Sequence, residues 1–124
     1  MKFYVRQAQF DEQPEIYHRG KFPKTKASAL AESIAKWRVV AQAIQVLDQP
    51  VENGGINECA LCKLYYMEDC IRCPVFESPG KDHSRCRDTP CNTYEENIGR
   101  MTSARALKLA QAEVKFLEGL RGAK

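Results

Sequence analysis

No stretch of this chain approaches the run of about 18 uncharged apolar residues that a membrane-spanning helix needs. The opening residues, Met1-Lys2-Phe3-Tyr4-Val5-Arg6-Gln7, hold neither an apolar h-region nor a small-residue cleavage site. A secretory signal is therefore not expected, and a reducing cytoplasm is the expected compartment. Histidine occurs twice and tryptophan once. The chain has no nucleophile elbow, no phosphate-cradling glycine loop and no paired-histidine metalloprotease helix. With no catalytic constellation to read, an enzyme is not expected. An excess of one charge sign is also missing: 19 basic residues face 16 acidic ones, for a net charge of +3. That balance falls short of the strong basic footprint of a dedicated nucleic-acid binder. Cysteine, finally, is absent before position 59 and after position 91.

What is present describes one domain spanning residues 1–124, with a core of modest size that a metal or disulfide staple would help. The expected fold is an α-rich α+β one: an N-terminal β-hairpin, two long helices, and a Cys-rich stapled segment between them. The hairpin is placed within residues 1–22. Phe3 and Val5 alternate with polar neighbours, Asp11 to Pro14 is rich in turn formers, and Glu15 to Arg19 can return as a second strand. A helix is predicted over 28–48, with Ser28 as N-cap. Leu30, Ile34, Trp37, Ala41 and Ile44 share one face of it, while Ala35, Val39, Ala43 and Val46 form a weaker strip that can receive the hairpin. Pro50 and Gly54-Gly55 mark its end. A second helix is predicted over 93–120, opened by a Thr93/Glu96 capping box. One of its faces carries Leu107, Ala110, Val114 and Leu117, and a nearly opposite one carries Ile98, Leu109, Phe116 and Leu120. The two helices are expected to pack antiparallel with Trp37 between them.

The segment 51–92 carries the chemistry. All six cysteines lie in it, as Cys59-x2-Cys62, Cys70-x2-Cys73, Cys86 and Cys91. A Cys-x-x-Cys turn brings two sulfurs to one side of an ion, and two such turns complete a tetrahedron of thiolates. Zinc held by at least four of Cys59, Cys62, Cys70, Cys73 and Cys86 is the first reading. Four protein ligands leave no open position for water, so such a site would be structural. Cys91 and His83 are further donors, for the metal or, in the case of Cys91, for a disulfide. An iron–sulfur cluster is the second reading, since Cys73-Pro74 matches the Cys-Pro that closes ferredoxin motifs. Disulfides are the third, and the cytoplasmic expectation counts against them.

The string Cys59-Ala60-Leu61-Cys62, then Cys70-Ile71-Arg72-Cys73-Pro74, then Cys86-Arg87-Asp88-Thr89-Pro90 resembles a pattern in small uncharacterised proteins of bacteriophages and prophages. In those, a Trp-bearing helix precedes the cysteines and a charged helix ending in Phe-Leu follows. Trp37 and Val114-Lys115-Phe116-Leu117 stand in those places here, so the resemblance covers roughly residues 30–118. It implies a phage or prophage accessory protein and brings no activity with it. The pattern usually has an aromatic residue after Thr-Pro, where this chain has Cys91, which implies that Cys91 lies outside the obligatory ligand set.

Two partner classes follow. The first is a host or phage macromolecule, a protein in the first instance, bound without catalysis. The alternative is nucleic acid, contacted by Lys81, Arg85, Arg87, Arg100 and Arg105, since phosphates need such charge. Asp82, Asp88, Glu95 and Glu96 interleave with these cations, as on an ordinary solvated surface. Tyr65 and Tyr66 are expected to pack beside the cysteines, and His18 to be a strand residue without chemistry. Phe116 and Leu120 are expected to meet something beyond the first helix, either the hairpin or the second chain of a homodimer.

Overall fold

In the computed structural model the described residues are 3–6, 14–52, 60 and 90–121. The expected hairpin is there: β1 (Phe3–Arg6) and β2 (Glu15–His18) pair antiparallel, with Phe3 opposite His18, Tyr4 opposite Tyr17 and Val5 opposite Ile16. Strand alternation sends Phe3, Ile16 and the His18 ring inward and leaves Tyr4 and Tyr17 on the outer face. Gly20 leaves β2 at a φ of +83°, a left-handed conformation that glycine adopts without a Cβ penalty.

Helix α1 (Lys26–Leu47) is one turn longer at its start than the sequence suggests. Thr25, not Ser28, is its N-cap: its extended backbone and its Oγ1, accepting from Ser28 N–H at 3.2 Å, satisfy one of the free donors of the first turn. The helix stops at Asp48, which takes up the left-handed conformation (φ 54°) and donates its N–H to Ile44 O. Neither Pro50 nor the Gly54-Gly55 pair is needed for that stop, because aspartate tolerates this region better than most side chains.

The expected C-terminal helix is two helices, α2 (Pro90–Asn97) and α3 (Ser103–Arg121). Proline at the first position replaces the Thr93 capping box, since it has no N–H to leave unsatisfied there. Gly99 weakens helix propensity inside the break. Thr102 then begins α3, accepting from Arg105 N–H on its Oγ1 at 3.2 Å and from Ala106 N–H on its carbonyl at 2.9 Å.

α1 and α3 run antiparallel, as expected. Ser103 at the start of α3 donates to Asp48 at the end of α1 (2.7 Å), and Arg38 meets Glu118 further along both. The buried line of α3 is Ala106, Ala110, Glu113 and Leu117. Leu107 and Val114 flank it on one side, and Leu109, Phe116 and Leu120 on the other, all half-buried against the same core. The two apolar faces read from the sequence are thus the two shoulders of one broad stripe. On α1 the core line is Leu30, Ile34, Trp37, Val40 and Ile44. Of the strip meant for the hairpin, Val46 is 76% exposed and Ala35 is exposed, while Val39 and Ala43 are half-buried against the core. Phe3 and Ile16 belong to that same core, which removes their apolar surface from water.

Thr25→Ala should lower stability by about 1 kcal/mol and Ser28→Ala by much less, because only the first removes a cap oxygen. Urea unfolding of the two variants checks this, and equal losses would return the cap to Ser28.

Candidate functional site

The structure describes the chain on both sides of the segment to which the sequence assigns chemistry. On the near side, Val51 is fully buried and Glu52 lies along the free edge of β2 as a short parallel bridge. Ile16 N–H donates to Glu52 O at 2.8 Å and Glu52 N–H to Pro14 O at 2.7 Å. These two bonds cover an edge that a two-stranded ribbon would leave open. On the far side, α2 carries Tyr94, which has no exposed surface and meets Trp37 edge to face at 5.2 Å.

The two sides meet at one hydroxyl. Tyr94 OH accepts from Val51 N–H at 3.0 Å and donates to Val51 O. A single phenol thus satisfies both polar groups of a buried residue 43 positions away. It can do so only while neutral. Burial pushes its pKa up to about 12, the Glu52 carboxylate adds to the rise, and the hydrogen bond to Val51 opposes them. The group is a structural clasp with no nucleophilic character at neutral pH. Ala60, one of the two residues inside Cys59-x-x-Cys62, is also fully buried and belongs to the same apolar cluster as Trp37 and Tyr94.

Cys59, Cys62, Cys70, Cys73 and Cys86 lie outside the described residues, as do His83, Lys81, Arg85, Arg87, Tyr65 and Tyr66. Cys91 falls in the first turn of α2. Among the described residues no three of the metal-binding types come together. Arg100 and Arg105 are exposed, the first within the α2–α3 break and the second in the first turn of α3. Arg100 donates to Glu96 O at 3.1 Å, a cation neutralising the last carbonyls of α2. Phe116 and Leu120 are half-buried on a shoulder of α3.

Two residues gain roles that sequence reasoning missed. Tyr94 reads there as a neighbour of the basic stretch. Its spacing of four from Ile98 marks an apolar stripe, but nothing in the sequence points to Val51. His18 reads as an idle strand residue. Its ring is stacked on Phe22 (3.9 Å), lies edge-on to Phe3 (4.8 Å) and has Nε2 2.8 Å from Glu32 Oε1. His18 thereby fixes the hairpin to α1.

No helix among the described residues is long and apolar enough to cross a membrane. No protein-family model matches the chain, and no curated protein or solved structure matches it.

Tyr94→Phe leaves two buried backbone groups without their partner, at about 1–3 kcal/mol each, and should cost about 2–6 kcal/mol at neutral pH. The Tyr94 pKa is higher in the fold than in the unfolded chain. Its contribution is therefore complete below about pH 10 and is lost as pH rises through about 12. The advantage of the wild type over the variant should shrink across that window, by about 2–3 kcal/mol in all. Urea unfolding of both proteins at about pH 7 and at the alkaline end tests this. A constant difference would show that the hydroxyl is not the titrating clasp.

Proposed function

We propose that this chain is a small non-enzymatic binding module, a phage or prophage accessory protein of the bacterial cytoplasm. At least four of Cys59, Cys62, Cys70, Cys73 and Cys86 hold one structural zinc ion in it, and the module engages a host or phage macromolecule, a protein in the first instance. The observation that carries the metal part is the burial of Ala60 between two cysteines of the first pair, in the cluster that holds Trp37 and Tyr94. A metal held by a thiolate next in sequence to a core residue would make metal binding and folding one event. The donor set supports the choice of ion. Thiolates suit zinc, and four of them leave no position open for a reacting water. The accessory role rests on the resemblance of the cysteine pattern to small phage proteins, and the lack of a catalytic constellation in the sequence agrees with it.

Protein purified without chelator should carry about one zinc per chain and release titratable thiols on denaturation. A strong chelator should then lower the melting temperature and loosen the clasp at Val51 and Tyr94, seen as faster amide exchange at Val51. A brown protein containing iron would replace zinc with a cluster. No metal and no titratable thiols would establish disulfides and remove the cytoplasmic reading with them.

A further inference from the structure

The charge of the chain is unevenly spread. Arg19, Lys21, Lys24 and Lys26 follow one another through the connector from β2 into α1, and no acidic residue occurs between Arg19 and Ala31. All four are exposed. Lys21, Lys24 and Lys26 have no ion-pair partner among the described residues. The first acid after them, Glu32, is directed to His18. Phe22, stacked on His18, pins the connector between Lys21 and Lys24, so the cations stand on a fixed path.

Beside this path lies a pair of aromatic rings, tilted 32° to each other. Tyr4 and Tyr17 are cross-strand partners on the outer face of the hairpin, with ring centroids 5.8 Å apart. The Arg19 guanidinium sits over the Tyr4 ring at 4.6 Å and near the Tyr17 ring at 5.7 Å, and it donates to Tyr17 OH at 3.3 Å. Arg19 is thereby held as a planar cation with its outer side toward solvent. The connector from Arg19 to Lys26 can reach at most about 25 Å, the length of a few nucleotides of extended strand.

We infer that the outer face of the hairpin and the 19–26 connector form a binding surface for single-stranded nucleic acid. The lysines take successive phosphates, and the Arg19–Tyr4–Tyr17 stack receives an unpaired base. Charge alone would suit any polyanion. The stack makes the choice, because an unpaired base offers a free π-face, whereas a duplex keeps its bases stacked and an acidic peptide or a lipid headgroup has no such face. The surface differs from the Lys81–Arg105 stretch singled out in the sequence, and it does not depend on a metal in the cysteine segment.

Fluorescence anisotropy with a labelled oligothymidylate, titrated over a range of salt, tests the inference on the full chain. The wild type should bind with log K falling linearly with log salt. Lys21→Gln/Lys24→Gln/Lys26→Gln should bind roughly tenfold or more weakly and reduce the slope by about 2, at about 0.7 per phosphate contact on a single strand. Arg19→Ala should weaken binding roughly tenfold through the lost stack, with a smaller change in slope. The matched control Arg105→Gln/Lys108→Gln/Lys115→Gln, at three exposed positions of α3, should bind like the wild type. Circular dichroism confirms that each variant is folded. No binding at low salt, equal loss in the control, tighter binding to a duplex of the same length, or selective binding to phosphatidylserine vesicles would each overturn the inference. Zinc content, measured on the same samples, tests the metal reading separately.

Discussion

The Val51 peptide groups are buried, and the rest of the fold depends on how they are satisfied. Each would cost about 1–3 kcal/mol if left without a partner, and the Tyr94 hydroxyl serves both by donating once and accepting once. The clasp joins α2 to the stretch that follows α1. Through Glu52 that stretch is joined to β2, and through Ile16 and Phe3 to the apolar cluster around Trp37. A hairpin of four-residue strands has little stability alone. Here its free edge is covered by Glu52 and its inner face by α1, so it is an integral layer of the core. The same clasp brings the two ends of the cysteine segment to one place. Closing a loop of that length costs entropy wherever the closure is made. With the ends already held, a staple within the segment has less chain left to order.

Polar side-chain contacts among the described residues divide into those that position and those that do little for stability. His18 and Glu32 meet with the His18 side chain almost wholly buried, held between Phe3 and Phe22. Ring and carboxylate together orient the hairpin on α1. Arg38 and Glu118 meet in the open across α1 and α3, where screening and side-chain entropy leave an ion pair worth about 0–1 kcal/mol. The antiparallel pairing of those helices rests on Ile34, Trp37, Ile44, Ala106, Ala110 and Leu117, which are removed from water between them. The inward use of Glu32 also has an electrostatic result: Lys21, Lys24 and Lys26 have no ion-pair partner among the described residues, at the start of a helix whose first turn contains no acid.

Much of the architecture was legible because it depends on local period. The spacing of Leu30, Ile34, Trp37 and Ile44 identifies α1, and the alternation of Phe3 and Val5 identifies a strand. The break between α2 and α3 was not legible. Tyr94, Ile98 and Met101 step by four and three straight through it, so periodicity reads one helix where Gly99 and Thr102 make two. The opposed faces read on the last helix failed for a related reason. A helical wheel gives angles but not the breadth of the partner, and α3 packs against both α1 and α2. In the cysteine segment the spacing displays the donor chemistry, while the described structure supplies its base at Val51, Ala60 and Tyr94.

The sequence by itself determined the elements with a repeating apolar period, the confinement of every cysteine to positions 59–91, and the run of cations from Arg19 to Lys26. Each is a property of neighbours along the chain, where propensity and period act. Only the tertiary structure decided that Tyr94 answers Val51, that Glu52 covers the edge of β2, and that His18 turns inward to Glu32 while Tyr4 and Tyr17 stay on the outer face. Those pairings join residues with no fixed spacing. They are selected when burial strips water from a donor or acceptor and the nearest group able to replace that water comes from another part of the chain.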